Sequence, residues 1–313
     1  MGGNRVGTTT QYDPRNLHLP EQELMRSGHL ACPGCGAVIG MRIALKALGD
    51  NTVAVLPACC WGVLNGPYPF SSLKVPVLNV PFATAAISGS GVRAALELQG
   101  RDDVNVLVWA GDGGTFDIGL QSLSGAAERN DRLIYVCYDN EAYMNTGIQR
   151  SSATPPGAWT TTTPAGSPKS EPKKNMVEIM AAHRIPYTAS ACIAYPEDFF
   201  RKMQKAKAAN GTSFIHLWVS CPTGYKAEER NSVKLARLAV ETGMFPLYEV
   251  ENGIRYTINH RPAFTNLEEY LNLQGRFRHL DEQQIEKMRR NIEREWTVLQ
   301  AKVETSLMLE AAK

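Results

Sequence analysis

No stretch of the 313 residues is apolar for long enough to cross a membrane; the near-continuous run Val104 to Ala110 falls far short of the roughly 20 residues a span requires. The opening Met-Gly-Gly-Asn-Arg has no apolar segment of the secretory kind. Val6 stands where a myristoylation motif wants Ser or Thr. The expectation is a cytoplasmic chain. Net charge is also scarce. Lys and Arg number 33 against 31 Asp and Glu, leaving +2, which gives no electrostatic case for a nucleic-acid or membrane partner. A disulfide framework is disfavoured, because seven cysteines is an odd count in a chain without an export signal. With 43% hydrophobic and 20% charged residues, a wholly disordered chain is excluded as well.

What is present alternates. Strands are expected at 52–56, 75–80, 104–110, 133–138, 187–193 and 214–220. Helices are expected at 36–48, 84–99, 118–128, 176–183, 196–209 and 231–242. This order predicts βαβ units: an α/β fold with a mostly parallel central sheet and helices on both faces. A hairpin is expected within 245–258. From about Asp281 a long charged helix carries the stripe Ile285, Met288, Ile292, Trp296, Leu299, Val303 and Leu307, which fits docking on its own domain or a subunit contact. The organisation expected is an N-terminal arm over 1–27, a main body over 28–260 and a helical extension over 261–313. Residues 151–174 are rich in Thr, Pro, Ser and Gly, a loop too long to be a plain connector.

The first chemical signal is Gly111-Asp112-Gly113-Gly114, placed directly after a predicted strand. Asn140 follows Gly111 by 29 positions, about one βαβ step, at the end of the next strand. Both segments then meet at the carboxyl edge of adjacent strands, where α/β sheets bind ligands. Asp112 and Asn140 offer the hard oxygens Mg²⁺ requires, and the glycines let backbone amides approach phosphate. The pattern resembles the fingerprint of thiamine diphosphate enzymes.

The second signal is sulfur. Cys137 and Cys192 lie in apolar stretches and read as buried small hydrophobes. Cys32-Pro33-Gly34-Cys35 instead places two thiols on one turn. Of Cys59 and Cys60, one reads as a ligand and the other as a wall, and Cys221 opens Cys-Pro-Thr-Gly-Tyr after a strand. Cys32, Cys35, Cys60 and Cys221 suit an iron–sulfur cubane or a structural zinc equally well on spacing alone.

Taken together, the chain resembles the β subunit of 2-oxoacid:ferredoxin oxidoreductases of the pyruvate synthase type. The matching stretches are 28–36, 111–121, 138–152, 158–164, 221–225 and 273–277, spread over about 28 to 280. The resemblance implies that Cys32, Cys35, Cys60 and Cys221 ligate one [4Fe–4S] cluster. It implies that Asp112, Asn140 and the Ala142 carbonyl hold the Mg²⁺ of thiamine diphosphate, and that Asn145 lies beside the thiazolium and substrate. Gly111, Gly113, Gly114 and Cys59 are then cofactor contacts. The implied activity is oxidative decarboxylation, with electrons passing through the cluster to ferredoxin. It also implies a larger complex. An α-type subunit would supply the glutamate that activates the cofactor, and a ferredoxin-like subunit would carry further clusters.

One departure bears on substrate. Pyruvate-type chains tend to read His-Val-Ala-Phe-Glu-Asn where this one has Asn79-Val80-Pro81-Phe82-Ala83-Thr84. This favours oxalate slightly, by resemblance to oxalate oxidoreductase of anaerobic carbon metabolism; pyruvate with coenzyme A is the alternative. Arg150 is a possible anion-binding catalytic residue or a loop brace. Lys169, Lys173 and Lys174 read as a solvated loop face, with an acidic ferredoxin or a coenzyme A phosphate as the sharper option. His29 reads as a loop hydrogen bond or a group tuning the cluster, and His183 as a helix-end charge. Two competing readings remain: a zinc-stapled scaffold, and a non-redox thiamine decarboxylase or carboligase in which the cysteines are incidental.

Overall fold

A computed structural model describes residues 19–311; most of the expected N-terminal arm, and the Gly2 segment with it, lie outside the described residues. The elements run α1 Gly36–Leu48, β1 Thr52–Pro57, α2 Cys60–Leu64, β2 Val77–Val80, α3 Ala85–Leu98, β3 Asn105–Gly111, α4 Leu120–Glu128 and β4 Ile134–Asp139. They continue with α5 Met176–Ala182, β5 Tyr187–Cys192, α6 Pro196–Ala208, β6 Ser213–Trp218, α7 Pro222–Tyr225, α8 Ser232–Glu241, β7 Tyr248–Glu251, β8 Arg255–Ile258, α9 Leu267–Asn272 and α10 Glu282–Ala311. One eight-stranded sheet has the order β2-β1-β3-β4-β6-β5-β7-β8. Strands β1 to β6 pair in parallel, while β7 and β8 close one edge antiparallel.

The pleat explains the apolar strands. On β3, Leu107 and Trp109 face one core, and Val106 and Val108 face the other. On β4 the same division separates Ile134, Val136 and Tyr138 from Tyr135 and Cys137. Both faces are covered by helices, so both sets are buried and the run looks continuous in sequence. Cys137 and Cys192 are fully buried, as expected.

The differences from the predicted elements are local. Between β3 and α4 the chain makes a wide π-type turn over Gly113–Ile118, and α4 begins only at Leu120. Thr115 Oγ1 donates to the Gly111 carbonyl at 2.8 Å, a side-chain bond that competes with regular helix pairing. Three short helices, α2 between β1 and β2, α7 and α9, went unpredicted.

Helix α10 docks on its own chain. Trp296 and Leu299 are buried against Val177, Ala181, Tyr248 and Val250, and Trp296 Nε1 donates to the Gly243 carbonyl at 2.9 Å. Its last turns leave Leu307, Met308 and Leu309 exposed. No helix among the described residues is long and apolar enough to cross a membrane. Trp296→Ala is expected to destabilise the fold by about 3–5 kcal/mol, because it opens a cavity and orphans a carbonyl. Leu307→Ala should stay within about 0.5 kcal/mol. Equilibrium denaturation of the two variants checks both.

Candidate active site

Strands β1, β3, β4 and β6 lie side by side and point their carboxyl ends at one edge of the sheet. Cys59 and Cys60 follow β1. Asp112, Gly113 and Gly114 follow β3. Asn140, Glu141 and Ala142 follow β4, and Cys221 lies just beyond β6. A cavity of about 160 Å³ opens there, lined by Cys59, Cys60, Phe82, Gly111 to Gly114, Tyr138, Asn140 and Ala142 to Thr146, among others. Gly113 is required by its neighbour: a Cβ there would lie 2.4 Å from the Tyr143 ring.

Three oxygens converge on the cavity. Asn140 Oδ1 lies 3.0 Å from the Ala142 carbonyl oxygen and 3.0 Å from Asp112 Oδ1. Acceptors do not attract one another, so this arrangement needs either a cation among them or the amide turned over to donate to both. Asp112 is buried, and its other oxygen accepts from Ser151 Oγ at 2.5 Å. Burial, and then the charge of Asp139, push the Asp112 carboxyl well above its usual range.

Beneath this turn sits a buried charge cluster. Asp139 accepts from His216 Nε2 at 2.7 Å and pairs with Lys173 at 2.5 Å. Glu141 takes Lys173 at 3.0 Å, Arg276 at 2.6 Å and the Trp218 indole N–H at 3.2 Å. Burial alone would push both carboxyls up. Lys173 and His216 overcome it and bring Asp139 down to about 2. Lys173 and Arg276 hold Glu141 below its ordinary value. Burial lowers His216, against the pull of the Asp139 carboxylate.

The thiols gather alongside. The Gly36 amide donates to the Ser220 carbonyl at 3.0 Å, which ties the Cys32–Cys35 turn to the segment leading into Cys221. A Cβ on Gly36 would lie 2.7 Å from the Ser220 nitrogen, so only glycine permits this approach. Burial pushes the Cys221 thiol up to about 12; the Gly224 amide, 3.4 Å from its sulfur, works against that, while Cys35 and Cys32 add to the rise. Cys60 is raised by burial and by Cys59, Cys221 and Cys35. Cys35 is also raised by burial, opposed by the Ala37 and Val38 amides at its sulfur. All four cysteines are free thiols.

Of the residues singled out from sequence, Asp112, Asn140, Ala142, Asn145, Cys59, Cys60 and the Gly111–Gly114 turn all line one cavity. Arg150 lies outside that lining, with its guanidinium 4.0 Å from Glu171 on the Thr-rich loop. His183 caps α5, as its helix-end reading expects. The lysine run is corrected. Lys169 is buried and donates to the Thr154 and Pro172 carbonyls, Lys173 neutralises Asp139 and Glu141, and Lys174 donates to the Phe116 carbonyl. The loop folds back over the sheet edge, and its lysines satisfy buried acceptors there instead of facing solvent. Burial pushes Lys169 down to about 8. Sequence reasoning missed Glu141, Lys173, His216 and Arg276 as a set. It also missed Asp117, which holds Tyr143 Oη at 2.9 Å and sits inside the Gly-Asp-Gly-Gly-Thr-Phe-Asp stretch.

Lys173→Met is expected to cost about 3–5 kcal/mol, because two buried carboxylates lose a shared cation. The depressed Asp139 contributes stability above its unfolded pKa that is lost as pH falls through about 2. Without Lys173 the upward push of burial prevails, so acid unfolding of the variant should begin at higher pH. A pH series of thermal melts checks this.

The chain has relatives among known proteins. Residues 78–217 match the family model "Thiamine pyrophosphate enzyme, C-terminal TPP binding domain". The chain is 54% identical over 272 residues to pyruvate synthase subunit PorB of Methanothermobacter thermautotrophicus, covering 86% of this chain and 94% of the relative. It is 48% identical over 293 residues to ketoisovalerate oxidoreductase subunit VorB of Pyrococcus horikoshii, covering 90% and 94%. A solved 2-oxoglutarate:ferredoxin oxidoreductase from Magnetococcus marinus shares the fold, with a TM-score of 0.56 and 23% identity over 70% of this chain and 82% of that one. With identity this high over nearly its whole length, the chain belongs to the family of β subunits of 2-oxoacid:ferredoxin oxidoreductases.

Proposed function

We propose that this chain is the thiamine diphosphate-binding subunit of an oxidoreductase for a small 2-oxoacid, holding Mg²⁺ through Asp112, Asn140 and the Ala142 carbonyl and a [4Fe–4S] cluster through Cys32, Cys35, Cys60 and Cys221. The observation that carries the reading is the meeting of the Asn140 side-chain amide with the Asp112 carboxylate and the Ala142 carbonyl, each 3.0 Å from it, in the cavity. Cis ligands of an octahedral Mg²⁺, bound at about 2.0–2.1 Å, stand about 2.9–3.0 Å apart. A cation there would also relieve the buried Asp112 carboxylate.

The four thiols fit a cluster in chemistry. They are soft ligands on three loops, with backbone amides aimed at Cys35 and Cys221, while Cys60 is raised by burial and then by its neighbouring thiols and Asp112. Ligands of one zinc would lie about 3.8 Å apart, from a Zn–S bond of about 2.3 Å. Among the described residues no three His, Cys, Asp or Glu side chains converge on the position of a single ion, and the cluster is preferred to zinc because a relative is named as an oxidoreductase subunit. When bound, thiamine diphosphate supplies the carbon nucleophile for decarboxylation, and the cluster accepts electrons one at a time. The chain's own residues bind and orient. The Gly111–Gly114 turn presents the diphosphate face. Phe82, Tyr143 and Met144 form an apolar wall, and Cys59 packs beside Tyr138. Asn145 stands at the rim as a polar contact for substrate.

The cavity is too small for a whole cofactor, which ordinarily needs about 300 Å³ or more, and no lining residue is a glutamate. An α-type partner subunit would complete it and supply that glutamate. A ferredoxin-like subunit and ferredoxin itself would carry electrons onward. For substrate, the reading favours pyruvate or a related 2-oxoacid. Its support is the relatives named as subunits of pyruvate synthase and ketoisovalerate oxidoreductase, whereas oxalate rests on the 79–84 departure alone. Arg150 would assist an anionic substrate only by leaving Glu171.

In the assembled complex, Asp112→Ala is expected to abolish Mg²⁺-dependent thiamine diphosphate binding with iron content unchanged. Cys221→Ser should do the reverse, losing iron while cofactor binding persists. Calorimetry and iron analysis check both; tight cofactor binding in Asp112→Ala would overturn the metal assignment, and unchanged iron in Cys221→Ser would remove that ligand.

A further inference from the structure

We propose that Arg276 is a positioning residue shared by the two halves of the site, locking the Asn140–Ala142 turn to the Cys221–Tyr225 loop and placing a buried positive charge beside the group held at Cys221. The inference deepens the function proposed above and rests on it.

Arg276 lies in a short 3₁₀ turn, Gly275–Phe277, and is 2% exposed. It reaches Glu141 across 135 positions of sequence, with one terminal nitrogen 2.6 Å from Oε2. Its guanidinium carbon stands 3.5 Å above the Tyr225 ring, at the end of the loop that Cys221 opens. Its Nε donates to Gln274 Oε1 at 3.0 Å, and its carbonyl accepts from the Trp159 amide at 2.9 Å. The preceding Gly275 amide donates to the Lys226 carbonyl at 3.1 Å. One side chain therefore touches the metal turn along its edge and the cysteine loop with its face. A planar guanidinium can do both at once; an ammonium cannot.

Glu141 explains why the metal turn needs this brace. It sits between two proposed metal ligands with φ of +67°, a left-handed conformation that glutamate adopts at a cost of about 1–2 kcal/mol. The turn is held from every side. The Glu141 amide donates to Asp139 Oδ1 at 2.8 Å, its carbonyl accepts from Thr154 Oγ1 at 2.6 Å, and its carboxylate is pinned by Arg276, Lys173 and Trp218. Charge is balanced too. Two carboxylates, Asp139 and Glu141, face two cations, Lys173 and Arg276. Removing Arg276 leaves one negative charge in excess beneath both halves of the site, which disfavours the reduced form of a thiolate-held redox group.

The test uses the assembled complex carrying Arg276→Met, Arg276→Lys or the control Lys202→Met. Lys202 is buried and pairs with Asp198 at 2.6 Å, with no contact to the site. Two quantities are read: the Kd of Mg²⁺–thiamine diphosphate by calorimetry, and the midpoint potential of the paramagnetic signal that disappears in Cys221→Ser. Arg276→Met is expected to weaken cofactor binding about 10–100-fold and to shift the midpoint to more negative values. Arg276→Lys keeps the charge, so its midpoint should stay near wild type while binding still weakens severalfold. Lys202→Met should lower thermal stability and move neither quantity. Wild-type Kd and midpoint in Arg276→Met would overturn the inference, as would shifts no larger than those of the control. If Arg276→Met does not assemble, wild-type cofactor affinity in Arg276→Lys overturns it alone. A wild-type complex without iron or without cofactor affinity overturns the functional reading itself.

Discussion

Two carboxylates, Asp139 and Glu141, are buried at the end of β4, and the architecture of the site follows from the need to neutralise them. An isolated buried carboxylate would take up a proton or unfold its surroundings. Here the neutralising charges come from far along the chain. Lys173 arrives on the Thr-rich loop and Arg276 on the turn before α10, while His216 donates a hydrogen bond from β6. Each arrival fixes a segment that would otherwise be free to move. The loop becomes a lid over the sheet edge, and the segment leading into α10 becomes part of the interior.

The same edge collects the reactive groups. Four adjacent parallel strands deliver the thiols after β1 and β6 and the oxygens after β3 and β4. This is the crevice at strand ends where α/β sheets bind ligands. The proposed function leaves the remaining wall of the cavity to a partner subunit. That division fits a chain whose relatives are named as subunits, pyruvate synthase subunit PorB and ketoisovalerate oxidoreductase subunit VorB.

Much of this was legible in sequence, for identifiable reasons. Runs such as Val104 to Ala110 announce doubly covered strands, because the pleat sends alternate residues to two cores. The stripe on α10 marks its docking face through Trp296 and Leu299. Gly111-Asp112-Gly113-Gly114 and Asn140 mark the cavity because close approach dictates residue type, as at Gly113 beside the Tyr143 ring. The pairing of Glu141 with Arg276 was not legible, since no periodicity links residues 135 positions apart. The inward turn of Lys169, Lys173 and Lys174 was hidden for the same reason: a basic run reads as solvated until the buried acceptors are known. The π-type turn after β3 depends on a side-chain bond from Thr115, which pattern reasoning does not see.

The central claim is that one sheet edge joins 2-oxoacid decarboxylation to one-electron transfer. The most direct measurement is an anaerobic titration of the purified complex, following the visible absorbance of its clusters as pyruvate, 2-oxoisovalerate or oxalate is added, with and without coenzyme A. The account predicts bleaching with pyruvate or 2-oxoisovalerate that requires thiamine diphosphate. Bleaching with oxalate alone would keep the site and overturn the substrate. A colourless complex, or one whose colour responds to none of the three, would contradict the account.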